Sequence, residues 1–109
     1  MTTLVNLCPH ALAIQPGDES TRITILPTVP AARVAVTNAV ERTVNGIPIS
    51  RSVYGAIENL PDTATDVIYI VSMLVAQRAQ RADVVSPDSG PTAIREAGQV
   101  VAVRGLVAW

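Results

Sequence analysis

The densest run of polar side chains is Arg78-Ala79-Gln80-Arg81-Ala82-Asp83, followed by Pro87-Asp88, which sets two guanidinium groups and two carboxylates along one short stretch. Planar guanidinium groups bind phosphate or carboxylate in a bidentate way that an ammonium does not. Asp83 and Asp88 are of the type that accepts hydrogen bonds from a ribose or a base. Arg51 and Arg95 can join such a site, and Asn6 and His10 add neutral hydrogen-bonding groups. The competing reading is a solvated Arg–Asp network that only pins a loop.

His10 is the only histidine and Cys8 the only cysteine. Two residues apart, they invite a Cys–His nucleophile reading, but Pro9 between them breaks the regular alternation that would hold both on one strand face. One histidine and one cysteine leave neither a multi-ligand zinc site nor an internal disulfide. Gly55, Gly90 and Gly98 lack the spacing and the following Lys of a phosphate-cradling loop, and no Gly-x-Ser-x-Gly elbow occurs. The expectation is a chain with no catalytic residue, no metal and no cofactor. An enzyme using His10 as an acid–base group beside an Asp stands as an alternative.

The chain has 109 residues, 49% of them hydrophobic and 16% charged, with a formal net charge of -1. That length and apolar content fit a single folded domain over residues 1–109. A near-neutral chain of this kind lacks the basic face of a general DNA binder. Tyr54, Tyr69 and Trp109 are the only aromatics, too few for a single-strand stacking platform. All eight basic residues are Arg. That bias fits GC-rich coding and also fits bidentate anion binding. The uncharged run Val67–Ala76 is too short to span a bilayer, and Met1-Thr2-Thr3 lacks a basic leader, so the expected location is the cytoplasm.

Elements must position these groups. Leu4–Cys8 is rich in strand formers and ends at Pro9. Ala11–Ile14, Thr21–Leu26 and Ala32–Thr37 follow as strands, the first two split by the Pro16-Gly17-Asp18 turn. Asn45-Gly46 between β-rich flanks is a hairpin signal, because both residues tolerate positive φ. Pro48 places that side of the hairpin at a sheet edge. Val67–Val71, uncharged and β-branched, reads as the central doubly buried strand. Ser72 is a candidate cap for one short helix near 73–80. Ala82–Ser86 and a terminal hairpin about Glu96-Ala97-Gly98 complete the chain. The predicted fold is mainly β, a β-rich α+β chain forming a compact small barrel or sandwich of about eight short strands with that one helix. Its many edges predict a homo-oligomer.

Val5-Asn6-Leu7-Cys8-Pro9-His10, Gly46-Ile47-Pro48-Ile49, Tyr54-Gly55, Leu60-Pro61, Tyr69-Ile70-Val71-Ser72, Arg81-x-Asp83-Val84 and Pro87-Asp88 together resemble a group of short phage, prophage and actinobacterial proteins. Members of that group usually open Asn-Leu-Thr-Pro-His, so Cys8 stands where they carry Thr. The resemblance implies a phage-like context and no settled activity. By analogy of size and context, it is similar in kind to small phage proteins that sequester nucleotide signals of bacterial immunity. The resulting expectation is a non-enzymatic protein binding a small anionic molecule such as a nucleotide through Asn6, His10, Arg51, Arg81, Asp83, Asp88 and Arg95. The alternative is a protein-interaction or structural accessory acting through sheet edges.

Overall fold

Ten strands and one helix make up the computed structural model, which describes residues 1–109. β1 (Thr3–Asn6) leads to β2 (Leu12–Ile14) and β3 (Ile23–Ile25). β4 (Arg33–Val44) and β5 (Ile47–Glu58) form a long hairpin, then come β6 (Val67–Ile70) and α1 (Met73–Ala79). β7 (Val84–Pro87), β8 (Ile94–Glu96), β9 (Gln99–Ala102) and β10 (Leu106–Ala108) close the chain.

The central sheet has the order β1-β6-β7-β10. β1 runs parallel to β6 and β6 parallel to β7, with Val5 opposite Tyr69 and Ile70 opposite Val85, while β10 is antiparallel to β7. The uncharged run at 67–70 sits inside this sheet and feeds both faces. On one side Tyr69 and Val71 pack with Leu7, Val75, Ala76 and Val84 under α1. On the other, Ile70 packs with Cys8, Leu12, Ile14 and Val103 beneath the β2–β3 and β8–β9 hairpins. Burial on both faces explains why no polar residue alternates into that strand.

α1 is a crossover between two parallel strands. It begins after Ser72, whose hydroxyl makes no capping bond, and ends at Gln80 in the left-handed conformation, where the Gln80 N–H donates to the Ala76 carbonyl. Its buried side is Val75 and Ala76. Arg78 on its last turn stacks 5.0 Å from the Tyr54 ring centroid and so ties the helix to the base of the long hairpin.

The hairpin turns at Asn45 (φ 52°) and Gly46 (φ 77°), the paired positive angles of a type I′ turn that the Asn-Gly sequence anticipates. A second turn of the same kind joins β8 to β9 at Ala97 (φ 51°) and Gly98 (φ 80°). Beyond its base, the long hairpin stands clear of the rest of the chain with almost every side chain exposed.

The chain is mainly β with one short helix, as the sequence predicts. It differs in detail: ten strands form instead of about eight, and they lie in one four-stranded and three two-stranded sheets with no closed barrel. The long hairpin does not join the other sheets: it extends outward as a two-stranded sheet of its own, and the overall extents are 53 × 37 × 22 Å. No helix is long and apolar enough to cross a membrane.

Candidate binding cleft at the carboxyl ends of the parallel strands

In open sheets with parallel strands, backbone groups and loops at the carboxyl ends of the strands form the natural ligand crevice. β1, β6 and β7 all end on the same side here, and a cleft of about 470 Å³ opens there. Pro9, His10, Ser72, Met73, Ser89 and Val100 are among the residues lining it. A second depression of about 310 Å³ shares Met73, Pro87 and Ser89 with it and adds Asp88, Gly90 and Trp109. The first has a mostly apolar lining and a size within the range of small-molecule sites.

The loop after β1 supplies His10. Its position is set from below by Asn6, which is fully buried. The Asn6 amide donates to the carbonyls of His10 and Ile25, each at 3.0 Å, and its Oδ1 accepts the Cys8 N–H at 2.9 Å. Asn6 therefore spends its side chain on the loop and positions His10 through the backbone. The His10 ring is exposed, with Nδ1 3.3 Å from the Ala11 carbonyl oxygen.

The loop after β7 supplies Asp88 and is held by Arg95. Asp88 Oδ1 accepts the Gly90 N–H at 3.3 Å and Oδ2 accepts the Thr92 hydroxyl at 3.4 Å. Arg95 on β8 donates to the carbonyls of Gly90 (3.2 Å) and Ser89 (3.1 Å), two residues that line the second depression. No carboxylate pairs with it, whereas Arg33, Arg51, Arg81 and Arg104 each form an ion pair. Arg22, Arg42 and Arg78 are likewise without an ion pair, and Arg95 itself lines neither depression: it meets the second one only through the Ser89 and Gly90 carbonyls that it holds.

Arg81 and Asp83 lie elsewhere. They precede β7, at the amino ends of the parallel strands. Arg81 grips Asp83 in a fork and donates also to the Pro61 carbonyl at 2.9 Å and the Thr63 hydroxyl at 3.2 Å. Hydrogen bonding to Arg81 holds the Asp83 carboxyl below its ordinary pKa, and the same bond raises that of Arg81. Arg51 is on the long hairpin, paired at 2.6 Å with Glu41. Of the seven residues singled out in the sequence, His10 lines the first depression and Asp88 the second, Arg95 holds the loop that carries Asp88, Asn6 lies behind His10, and Arg81, Asp83 and Arg51 lie away from both.

Cys8 does not face His10 as a nucleophile. Its thiol is buried and directed at the Ile70 carbonyl oxygen, 3.9 Å away, and burial pushes its pKa up. No group of three or more His, Cys, Asp or Glu side chains is gathered in metal-binding geometry. Ser72, Met73, Ser89 and Val100 line the first depression and Trp109 the second, none of them a site candidate in the sequence. Small hydroxyls and apolar side chains carry no chemical signature, and only the topology brings them together.

Comparison of the chain with protein-family models, curated proteins and solved structures returns no match.

Proposed function

We propose that this chain is a cytoplasmic, phage-associated, non-enzymatic binding protein that sequesters a small anionic molecule, of which an immune-signalling nucleotide is the leading case, and that it acts as a homo-oligomer. The observation that carries this reading is the Arg95 guanidinium. It is tied to the Ser89 and Gly90 carbonyls, on the loop that lines the second depression beside the apolar cleft, and it forms no ion pair. A phosphate there gains charge-assisted hydrogen bonds, His10 adds a ring N–H on the loop after β1, and Met73, Pro87 and Val100 offer apolar cover for a base. Because Asp83 already occupies Arg81, anion binding falls to Arg95 and His10.

The test is mass spectrometry of small molecules released by heat from protein purified from cells with active nucleotide signalling. The expected result is a stoichiometric phosphorylated compound, released chemically unchanged and absent from R95A. An altered compound points instead to catalysis, and an empty wild-type protein overturns the reading.

The accessory-protein reading is favoured by a different observation, the exposed two-stranded hairpin β4–β5 with its free edges. A copurifying protein lost on altering that hairpin is its signature.

A further inference from the structure

The long hairpin is too exposed to be explained by the chain alone. Each strand has 12 residues, about 40 Å of ladder at the usual rise, and two-stranded ribbons are marginal in water without a third partner. Val36, Val40, Val44, Ile47 and Val53 are all exposed on it. The accessible surface of the whole chain is 7232 Å². A compact monomer of this mass has about 5,800 Å². The surplus of roughly 1,400 Å² exceeds the approximately 800 Å² that each partner contributes to a stable protein interface. The radius of gyration, 16.6 Å, likewise exceeds the value of about 13 Å for a compact chain of this length.

The arm's chemistry selects the occupant. Arg33 pairs with Glu58 and Arg51 with Glu41, so the arm neutralises most of its own charge and offers little field to a charged partner. The outer edge of β5 is blunted by Pro48, which has no N–H to donate. β4 contains neither Pro nor Gly, and Val36–Val40 pairs regularly with 54–50 between the two bulges. Val36, Asn38 and Val40 therefore share one face. In an antiparallel self-pairing centred on Asn38, residue 36 of one copy lies opposite residue 40 of the other, so this Val-x-Asn-x-Val segment sets valine against valine on both sides of the axis. Asn38 lies near the middle of the strand, and its Oδ1 already accepts the Ser52 hydroxyl at 2.7 Å, leaving its amide hydrogens free.

We propose that β4 pairs antiparallel with β4 of a second copy about an axis at Asn38, joining two hairpins into a four-stranded ribbon. Val36 then lies opposite Val40 of the second copy, and Val40 opposite its Val36. The hairpin is separate from the cleft residues, so this pairing stands or falls independently of ligand binding.

The test is sedimentation of wild-type chain and variants, with circular dichroism to confirm folding. Wild type is expected at twice the chain mass of 11.5 kDa or a multiple of it. V40K and V36K/V40K are expected to halve that assembly, since a Lys on an edge strand opposes pairing. V36E/V40K sets opposite charges across the axis and is expected to restore it. A monomeric wild type, an undisturbed V40K or a failure of V36E/V40K to recover while remaining folded each overturns the proposed pairing.

Discussion

Arg81 holds both carboxylate oxygens of Asp83, with Nε 3.0 Å from Oδ1 and Nη2 2.7 Å from Oδ2, across a single intervening residue. The same guanidinium reaches the Pro61 carbonyl and the Thr63 hydroxyl, so one side chain joins the entry of β7 to the loop that precedes β6. The pair is partly shielded from solvent, with side-chain exposures of 27% and 13%, which keeps its contribution above that of a fully solvated ion pair.

Replacing Asp83 by Asn is expected to lower stability at pH 7 by about 1 kcal/mol, the scale of losing charge-assisted hydrogen bonds at a partly exposed site. The Asp83 pKa is depressed in the folded chain. Its contribution is therefore fully present above the ordinary carboxylate value near pH 4 and is lost as pH falls through the lower folded value. Urea titrations of wild type and D83N from pH 7 to pH 2 are expected to show a gap that closes only in acid. A gap that widens on acidification would contradict the assigned direction.

Asn6 is expected to be among the most sensitive positions in the chain. N6A leaves the buried Cys8 N–H and the partly buried His10 and Ile25 carbonyls without their partner. A loss of about 3 kcal/mol follows from the usual cost of such groups. Chemical denaturation checks it, and a loss below about 1 kcal/mol would mean that water or a shifted backbone replaces those bonds.

Cys8 is expected to behave as a core side chain. Its raised pKa and burial predict that iodoacetamide at pH 8 labels the native chain at least roughly a hundredfold more slowly than the urea-unfolded chain. Mass spectrometry of the time course checks this, and equal rates would place the thiol at the surface.

Local chemistry was legible where a residue type answers a backbone demand. Asn45-Gly46 announces its turn because few residues accept φ of 52° and 77° in succession. Val67–Ile70 announces a central strand because charge is absent from both of its faces. Pairing was not legible in the same way. Nothing in Thr3–Asn6 says that its neighbour lies at Val67–Ile70, since parallel strands far apart in sequence share no turn to mark them. Leu106–Ala108 was hidden as a separate strand because it is only three residues long and follows β9 after a short break at Arg104-Gly105. The site divides along the same line. The closeness of Arg81 and Asp83 in sequence made their contact readable, whereas the meeting of His10, Ser72 and Ser89 at one cleft depends on three strands ending on one side of a sheet. Arg95 was named as a candidate from its residue type alone; its hold on the Ser89 and Gly90 carbonyls comes from the β8–β9 hairpin folding back over the loop after β7.

The parallel pairing of β1 with β6 also governs the order in which the chain can assemble. Its first strand must wait for a neighbour more than half the chain length downstream, a costly loop to close and a slow kind of contact to find. The β4–β5 hairpin lies inside that loop and closes through local contacts on a microsecond scale. Once it forms, Arg33 and Glu58 are neighbours, and the path between β1 and β6 is effectively shortened, easing closure by about half a kcal/mol. The same arm that stands apart in the finished molecule is thus a shortcut during folding, and loosening its Asn-Gly turn should slow the appearance of the central sheet more than it weakens it.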